Sequence, residues 1–461
     1  MRIAQPRRAV SGAPCALARR DVAIALVLGL LVLVTHALSP IRSSSDSCWT
    51  IPTAASIAHR GDDDLDEYPW RVVELQGYAV EWRHGRAFSR YPIGPSLLAV
   101  PCVLLYDAVA RVVGAATVEE LIARGEVMPA ESAVASLVVA IVTVLVFLMA
   151  RWRGLGAGAA AAVALVFAFC TPAWSTASRG LWQHGPSMLT LASAMAMLLL
   201  ARRNDAWAAV AGLPLGVGIL MRPTNVIALV VLTAYVALRH PRRLPLMVLA
   251  SASVLAAFVA WNLHDFGAPL PAYYLPGAQP RAPLSEVPWA LAGHLVSPNR
   301  GLLVFAPVVL LAVAGVAVQL RRRSLDALDL ALLAVLGAHF AAISWFLVWW
   351  AGHSFGPRYA TDVLPVLAWF AMPAVVAMGE LRGSARRAML GVTALLVAWS
   401  FFAQLRAATT WNVWEWNSSP VNVDARPERV WDWRDLQILR GLGGGSASAD
   451  GGAPTSGSPA S

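Results

Sequence analysis

A succession of long apolar runs, each bounded by charged residues, constrains this chain more than any other feature. About twelve runs predict membrane-spanning helices, at residues 22–38, 92–111, 132–150, 155–173, 185–201, 206–221, 224–238, 244–262, 301–319, 327–349, 362–379 and 388–404. A helix rises about 1.5 Å per residue, so about 20 apolar residues cross a hydrocarbon core of about 30 Å. Only 14% of the residues are charged, against about 25% in soluble proteins. The sequence therefore predicts an all-α polytopic integral membrane protein with about 11–13 transmembrane helices, and it excludes a soluble globular enzyme.

The basic residues set the predicted orientation. All 36 are arginine, and the net charge is +9. Arginine clusters stand at the ends of apolar runs, at residues 202–203, 242–243, 321–323 and 386–387, and such clusters usually face the cytoplasm. The basicity therefore needs no nucleic acid as a partner. With these clusters inside, the connections at 174–184, 263–300 and 350–361, the turn at Arg222 and the C-terminal tail are predicted to lie outside.

The first apolar run follows arginines, as in a signal peptide. Residues 39–42, Ser-Pro-Ile-Arg, lack a cleavage motif of small residues, so we expect a retained signal anchor with the basic tail 1–20 in the cytoplasm. One conflict follows. If Arg151 and Arg153 are also cytoplasmic, residues 39–131 must contain an even number of crossings, yet they offer only the run 92–111. Either this run is re-entrant, or a weak span is hidden, or the two arginines break the rule.

The composition divides the chain into four parts. A transmembrane domain, 21–405, contains a long first external loop at 39–91; a Trp-rich external segment, 406–440, follows, and a Gly-, Ser- and Ala-rich tail, 441–461, has the composition of a disordered end. The long loop predicts a short helix that begins at Thr50 and ends before Gly61. Its apolar side favours a position along the membrane surface.

Metal and thiol chemistry have weak signals. The cysteines at 15, 48, 102 and 170 are widely separated and predict neither a zinc site nor a disulfide framework. The run Gly61-Asp62-Asp63-Asp64-Leu65-Asp66-Glu67 offers oxygen ligands that suit a divalent cation, but its spacing matches no calcium loop and a solvated surface explains it as well. No metal ligands are assigned, and a divalent cation stays an open alternative.

Asp46 is the leading candidate for a catalytic group. It follows the predicted outer end of the first span by a few residues, after Ser43-Ser44-Ser45. A carboxylate at the membrane boundary can act as a general base on an acceptor hydroxyl. A helix cap or a solvated loop acid would explain the same residue.

Several cationic groups lie at the predicted external face, against the charge bias. They are Arg179, His184, Arg222, Arg300 and Arg358, and an external anion should compensate them. A phosphate fits, because a guanidinium can grip two phosphate oxygens with paired hydrogen bonds. Pairing with lipid headgroups, with Asp265 or Asp362, or with the acidic run is the alternative, and for the histidines at 184 and 353 a hydrogen-bonded interfacial role is the more common case.

Taken together, these motifs resemble the GT-C superfamily of polyprenyl-phosphate-dependent glycosyltransferases, in the style of bacterial protein O-mannosyltransferase-like and aminoarabinose-transferase-like proteins. The motifs are the acid in Ser44-Ser45-Asp46-Ser47, a helix ending at Gly61-Asp62, the sequence Tyr91-Pro92-Ile93-Gly94 at the start of the next helix, and the Arg222-Pro223-Thr224 turn. Many members carry an Asp-Glu pair where this chain has Asp46-Ser47. The resemblance implies a GT-C-like transmembrane domain over about residues 20–405.

The resemblance also implies an activity. A sugar on a polyprenyl phosphate would pass to an acceptor hydroxyl with inversion, Asp46 acting as base and Arg358, with Arg222 or Arg300, neutralising the departing phosphate. Tyr91 and His184 complete the candidate substrate-binding residues. The all-Arg, Ala-rich composition hints at a bacterium, which would place the protein in the inner membrane with its active site facing outside the cytoplasm.

Two other functions remain open on the sequence. A multi-pass transporter or flippase of an anionic or lipid-linked substrate would also have about twelve helices, but it should show polar mid-span residues and related halves. In a non-catalytic envelope assembly protein, Asp46 would have no catalytic role. A cavity shared by Asp46 and Arg358 would favour the transferase.

Overall fold

The computed structural model describes residues 17–43, 45–275, 277–278 and 280–442. Most of the basic N-terminal tail, with Cys15, lies outside the described residues. So does Ser44 of the first loop, and so do residues 443–461 of the predicted disordered tail.

Helices dominate the described chain. They are α1 Arg19–Ala37, α2 Thr50–His59, α3 Pro69–Glu74, α4 Gly94–Val113, α5 Val118–Ala123, α6 Met128–Trp152, α7 Ala157–Phe169, α8 His184–Leu200, α9 Ala206–Val210, α10 Gly212–Met221, α11 Val226–Arg239, α12 Leu244–Phe266, α13 Val287–Val296, α14 Leu302–Phe305, α15 Leu310–Arg322, α16 Ala327–Ser344, α17 Leu364–Glu380, α18 Gly383–Thr409 and α19 Asn412–Glu415. A π-helical turn spans Ala173–Ala177, and 3₁₀ turns include Pro223–Asn225, Ala272–Tyr274, Arg358–Val363 and Gln437–Leu439. A hairpin that the sequence did not predict pairs β1 Val80–Arg83 with β2 Arg86–Ser89.

The predicted fold class, an all-α polytopic membrane protein, is confirmed. Among the described residues, seven helical segments are long and apolar enough to cross a membrane: Arg19–Ala37, Gly94–Val113, Met128–Trp152, Pro241–Phe266, Ala327–Ser344, Arg358–Glu380 and Gly383–Thr409. Shorter apolar helices span Ala157–Phe169, His184–Leu200, Ala206–Met221 and Pro223–Arg239. These eleven segments match eleven of the predicted apolar runs, and α14 with α15 covers the twelfth, 301–319.

The packing of α1 against α6 answers the conflict in crossing number. At one end of this pair, Arg151 Nε donates to Asp21 Oδ1 at 2.9 Å. At the other end, Ser47 Oγ donates to Glu131 Oε1 at 2.5 Å. The two helices are therefore antiparallel, and the chain between them begins and ends at the same end of the bundle. That stretch, α4 included, contributes no net crossing.

Within that stretch, α4 packs along α2. His59 Nε2 lies 2.7 Å from Asp107 Oδ2 on α4, and Arg60 Nη1 donates to Glu119 on α5 at 2.6 Å. The predicted short helix 50–59 thus forms, with Thr50 as its first residue and Gly61 beyond its end at a φ of 82°. Its apolar side joins a buried cluster that includes Trp49, Ile51 and residues of α4 to α6.

Ion pairs mark one end of the bundle, here called the Arg-rich end. Besides Arg151–Asp21, they include Arg202–Asp326 at 2.6 Å and Arg243–Asp205 at 2.8 Å. Between residues 17 and 442 the chain runs eleven times between this end and the opposite one, through α1, α6, α7, α8, α9 with α10, α11, α12, α14 with α15, α16, α17 and α18. The opposite end, here called the site end, carries the long connections.

The Trp-rich segment 406–440 packs on the site end. Trp414 and Trp416 are buried, and they join apolar clusters with Phe355 and Trp349. Gln437 is the central polar contact, because its Nε2 donates to Ser354 O at 2.9 Å and its Oε1 accepts from Gly356 N at 3.1 Å. This segment therefore fixes the loop that leads into Arg358.

Candidate active site

A polar cavity of about 570 Å³ lies at the site end. Its walls come from segments that are distant in sequence: the loop between α1 and α4, the turn before α8, the turn after α10, and the connections after α12 and α16. The lining side chains include Asp46, Tyr91, Gln183, His184, Arg222, Tyr273, Arg281, Trp345, Arg358 and Tyr359. The structure thus brings together five of the six residues proposed for catalysis or substrate binding, and it leaves out Arg300.

Close backbone contacts hold the Asp46 loop in place. Ser43 N donates to Arg179 O at 2.9 Å. A Cβ on Gly180 would lie 2.2 Å from Ser43 O, so only glycine permits this approach. The bond from Ser47 to Glu131 anchors the other side of Asp46.

Gly94 likewise permits a close backbone contact, and this contact positions Tyr91. A Cβ at this position would lie 2.5 Å from the carbonyl of Leu220, directly before Met221 and Arg222. The start of α4 therefore touches the backbone that leads into the Arg222 turn, an approach that only glycine permits. Tyr91 reaches the cavity as a result, and its ring packs edge-on against Tyr273 at 5.6 Å.

Asp46 is held as a carboxylate. Its Oδ1 accepts from the Tyr78 hydroxyl at 2.9 Å, and its Oδ2 accepts from Arg358 Nη2. Burial raises the pKa of Asp46, but the charge of Arg358 and the hydrogen bonds from Arg358, Tyr78 and Tyr91 outweigh it, so the pKa lies below its ordinary value. Burial and the Asp46 charge raise the pKa of both tyrosines, which therefore stay hydroxyl donors at neutral pH.

Arg358 is oriented from two directions besides Asp46. Its Nε donates to His184 Nε2 at 3.0 Å, and its guanidinium carbon lies 4.0 Å from the centre of the Trp182 ring. Stacking on an aromatic face leaves the edge of a guanidinium available for hydrogen bonds. Arg358 therefore faces the cavity in a fixed direction.

His184 links Arg358 to a second ion pair. Its Nδ1 lies 2.7 Å from Asp362 Oδ1, while Arg222 Nη1 donates to Asp362 Oδ2 at 2.5 Å. Because Arg358 can only donate and a carboxylate can only accept, His184 must accept at Nε2 and donate from Nδ1. This is the neutral imidazole with its proton on Nδ1. The contact of 2.8 Å between Arg222 Nη1 and His184 Nδ1 then lies between two donors.

Arg281 is a cavity residue that sequence reasoning missed. Its guanidinium carbon lies 5.3 Å from the Trp345 ring centre and 5.0 Å from that of Phe346. Within the part of the chain that the structure describes, no acid forms an ion pair with Arg281. The position of its backbone explains this placement, because Arg281 forms an isolated bridge with Phe346, next to the connection that carries Arg358.

The prediction that Arg300 binds a phosphate is wrong. Arg300 is buried away from the cavity, and its guanidinium donates to oxygens of Asn299, Trp350, Gly352, Asn417 and Gln437 at 2.8–3.0 Å. Arg179 is buried as well and donates to main-chain carbonyls, including that of Ile41 at 2.9 Å. These two arginines connect loops and present no free donor edge to a ligand.

The sequence predicted that an external anion would balance the positive charges of the arginines at this end. The structure shows a different arrangement. Arg222 pairs with Asp362 and Arg358 pairs with Asp46, so internal carboxylates neutralise both. Pairing with Asp362 was the alternative that the sequence had left open. Outside the cavity, His353 contacts Asn422 Oδ1 at 2.9 Å.

The acidic run forms its own cluster away from these residues. Oxygens of Asp62, Asp64 and Glu67 lie within 4.8 Å of one another, close enough to share a cation. Arginines already neutralise the cluster, since Arg86 pairs with Asp64 and Arg60 Nε lies 3.2 Å from Glu67. We therefore assign the cluster no metal.

Comparison with known proteins identifies the fold. No protein-family model matches the sequence, and no curated protein matches it significantly. Among solved structures, the apo oligosaccharyltransferase of Archaeoglobus fulgidus matches with a TM-score of 0.55 at 12% identity, over 91% of this chain and 60% of that chain. ArnT from Cupriavidus metallidurans matches with a TM-score of 0.49 at 15% identity when bound to undecaprenyl phosphate, over 87% of this chain and 65% of that one.

The apo form of ArnT gives a TM-score of 0.47 at 18% identity, over 86% of this chain and 64% of that chain. This chain therefore spans 60–65% of the length of the solved chains that it matches. At such low identity the likeness shows the fold alone. The fold is the GT-C fold, which confirms the fold that the resemblance implied.

Proposed function

We propose that this chain, a multi-pass membrane protein of GT-C fold, is a glycosyltransferase that moves a sugar from a polyprenyl-phosphate donor to an acceptor hydroxyl. One observation carries the proposal. Asp46 and Arg358 stand 312 positions apart in sequence, yet they meet in the wall of one cavity. Their meeting supports a mechanism in which one substrate contacts both a base for the acceptor and a cation for the leaving group.

The chemistry needs few groups from the protein. The acceptor oxygen attacks the anomeric carbon, the bond between that carbon and the phosphate oxygen breaks, and its electron pair stays on the phosphate. The acceptor proton passes to Asp46, and the configuration inverts because attack and departure occur on opposite faces. A phosphate is a stable anion, so no general acid is required.

The charges of the cavity fit the departing group. Arg358 and Arg281 both face the cavity, and they can neutralise the charge that develops on the phosphate. Arg222 is neutralised by its pair with Asp362, and its guanidinium carbon lies 5.1 Å from the centre of the Tyr359 ring. Tyr91 and Tyr78 position the base through their hydroxyl groups.

The location of the cavity suits a lipid-linked donor. It lies at the end of a bundle of apolar helices, so a prenyl tail can stay in the hydrocarbon while its phosphate reaches the cavity. The Arg-rich end would face the cytoplasm under the charge rule, and the transfer would then occur outside the cytoplasm. The sugar and the acceptor are left open.

Glycan profiling of cell envelopes tests the proposal. We would compare cells that carry the wild type, a deletion, Asp46→Asn, and the control Asp432→Asn, which removes an exposed acid outside the cavity. Asn keeps the size of Asp46 but cannot take up the proton, so transfer should fall by about 10²- to 10⁴-fold, while the control keeps the wild-type glycans.

The same comparison separates the alternatives, provided that immunoblots show equal amounts of membrane-inserted protein. Loss of one sugar modification in both the deletion and Asp46→Asn supports transfer with Asp46 as base. Loss in the deletion alone removes Asp46 from that role. An unchanged glycan profile in the deletion argues for a transporter, a flippase or an assembly protein instead.

A further inference from the structure

Three arginines line the cavity, and they differ in their electrostatic state. Arg222 is paired with the buried Asp362. Arg358 is neutralised by Asp46, the proposed base, whereas Arg281 pairs with no acid among the described residues. An anion that enters this cavity meets one open cation and one cation whose partner is the base itself.

We propose that the donor phosphate replaces the Asp46 carboxylate on Arg358, bridges to Arg281, and so frees the base at the moment when the donor is in place. This inference rests on the proposed function, because it assigns the phosphate to a lipid-linked donor. It adds a coupling between donor binding and activation of the base.

Arg358 can stay in place during such an exchange. Its Nε bond to His184 and its stacking on Trp182 do not involve Asp46. His184 is itself fixed, since Nδ1 donates to Asp362, which is buried and paired with Arg222. His184, Trp182 and Asp362 are therefore positioning residues, which keep the Nη edge of Arg358 directed into the cavity whichever anion it binds.

Asp46 is the partner that is free to move. It lies in a turn of the loop after α1, and its side chain is 22% exposed. Besides Arg358, the hydroxyls of Tyr78 and Tyr91 hold Asp46. The bond from Tyr78, at 2.9 Å, comes from the connection between α3 and β1, where Tyr78 is 42% exposed. A change of side-chain rotamer at Asp46 can break its bond to Arg358 without disturbing a buried helix.

Arg281 supplies the second half of the phosphate site. Its guanidinium is backed by Trp345 and Phe346, so its face is covered while its edge remains available. A phosphate has several acceptor oxygens and can bind two guanidinium groups at once, whereas the single carboxylate of Asp46 is already shared between Arg358 and Tyr78.

The exchange changes the strength of the base in the useful direction. The groups that face Asp46 are Arg358, Tyr78 and Tyr91, with Tyr359 and Cys48 further away. Arg358 lowers the pKa of Asp46, and a lowered pKa weakens a base. When the phosphate neutralises Arg358, that effect is relieved and Asp46 accepts a proton more readily.

Binding of two unreactive probes to the purified full chain tests the exchange. The probes are farnesyl phosphate and inorganic phosphate, measured by calorimetry at low ionic strength. In the wild type a probe must displace Asp46, so Asp46→Asn should bind both probes about tenfold more tightly. Arg281→Gln and Arg358→Gln should each weaken binding at least tenfold.

Asp432→Asn makes the same change in net charge outside the cavity and should leave both affinities unchanged. Asp46→Ala serves as a second variant without the carboxylate. Equal or weaker binding by both Asp46 variants overturns the exchange, and so does Arg281→Gln binding like the wild type.

The binding experiment and the glycan profile test different claims. If the exchange fails in the binding experiment but Asp46→Asn still loses its glycan product, the transferase function stands. If the glycan profile of the deletion is unchanged, the transferase function itself is wrong. Tighter binding of farnesyl phosphate than of inorganic phosphate identifies a lipid-linked anion as the ligand.

Discussion

At the scale of single residues, the arginines of the site end differ in whether their donors are already used. The guanidinium of Arg300 donates all its hydrogen bonds to protein oxygens. Arg358 and Arg222 are paired with carboxylates, whereas the guanidinium of Arg281 lies against aromatic rings. The sequence could not separate them, because each stands in a similar setting of Gly, Pro, Asn or aromatic neighbours. Partners from distant segments make the difference.

Arg300→Gln tests the structural role that the fold gives to this residue. The substitution leaves the buried Oδ1 of Asn417 without the Arg300 donor and removes one of the two donors to Gln437 Oε1, so we expect a loss of about 3 kcal/mol in stability. Thermal unfolding of the purified protein in detergent measures the effect.

The matched control is Arg281→Gln, which changes the same residue types at an exposed side chain without ion pairs among the described residues. Its melting temperature should stay within about 1 °C of the wild type, since exposed substitutions rarely change stability by more than about 0.5 kcal/mol. Equal destabilisation by both variants would show that Arg300 has no special structural role.

Asp63 gives a prediction for the dependence of stability on pH. Burial, and then the nearby charge of Asp265, raise the pKa of Asp63 to about 7, against the effect of a hydrogen bond from Trp261. The folded protein therefore binds a proton more tightly than the unfolded chain. Stability is highest below the unfolded pKa of about 4 and falls as the pH rises towards about 7, by up to about 4 kcal/mol.

Asp63→Asn should remove this dependence, because the amide keeps an acceptor for Trp261 and carries no charge. We expect the variant to melt at a higher temperature than the wild type at pH 8, and the difference to shrink towards pH 4. Thermal scans at several pH values check this. A variant that is less stable than the wild type at pH 8 would contradict the assignment.

At the scale of elements, hydropathy predicted the helices but not how α4 packs. The run 92–111 is as apolar as a true span, so composition cannot tell whether it crosses. Its contacts through His59–Asp107 and Gly94–Leu220 decide that it lies with α2 at the site end. Such contacts join residues tens of positions apart, beyond the reach of a periodicity argument. The hairpin β1–β2 escaped prediction because its strands span only four residues each.

The sequence located part of the candidate site for a physical reason. Asp46 stands out because it follows the outer end of the first span by a few residues, where a carboxylate can act as a general base on an acceptor hydroxyl. Arg358 stands out because it opposes the charge bias. Tyr78, Trp182 and Arg281 give no such signal, since tyrosine, tryptophan and arginine are common near membrane surfaces. Only their convergence on one cavity shows what they contact.

Gly94→Ala tests how α4 positions Tyr91. The new methyl group would lie 2.5 Å from the Leu220 backbone, so α4 must shift away from the Arg222 turn. We expect a cost of about 1–3 kcal/mol and a loss of transfer. Thermal unfolding and the glycan profile would measure the two effects.

Gly391→Ala in α18 is the matched control, since nothing lies within 4 Å of the added atom. It should be neutral or slightly stabilising, because alanine favours a helix over glycine by up to about 1 kcal/mol. If both alanine variants behave alike, close approach at Gly94 does not matter for the site.

At the scale of the whole molecule, the charge pattern and the site lie at opposite ends. The chain passes between the two ends eleven times from α1 to α18, so the start of α1 and the Trp-rich segment lie at opposite ends of the bundle. Arginine clusters mark one end through pairs such as Arg202–Asp326, and the cavity opens at the other. Under the rule that arginine-rich connections stay in the cytoplasm, we expect the Arg-rich end to face inward and the cavity to face outward.

Cysteine labelling in intact cells tests this orientation. Trp433→Cys places a thiol on the exposed surface of the Trp-rich segment, where the native side chain is 62% exposed. Arg323→Cys places one at the exposed turn after α15, at the Arg-rich end. Among the described cysteines, Cys48 and Cys170 are buried and Cys102 is half-buried, and a variant without native cysteines, Cys15 included, removes background labelling.

A membrane-impermeant maleimide should label Trp433→Cys in intact cells and Arg323→Cys only after the membrane is broken. That result would place the cavity outside the cytoplasm, where a donor sugar must already have been carried across the bilayer on its lipid. Labelling in the reverse order would put the cavity on the cytoplasmic side, where soluble nucleotide-activated sugars are available and a lipid-linked donor would lose its rationale. The orientation therefore bears directly on the class of donor, and it can be measured before either substrate is known.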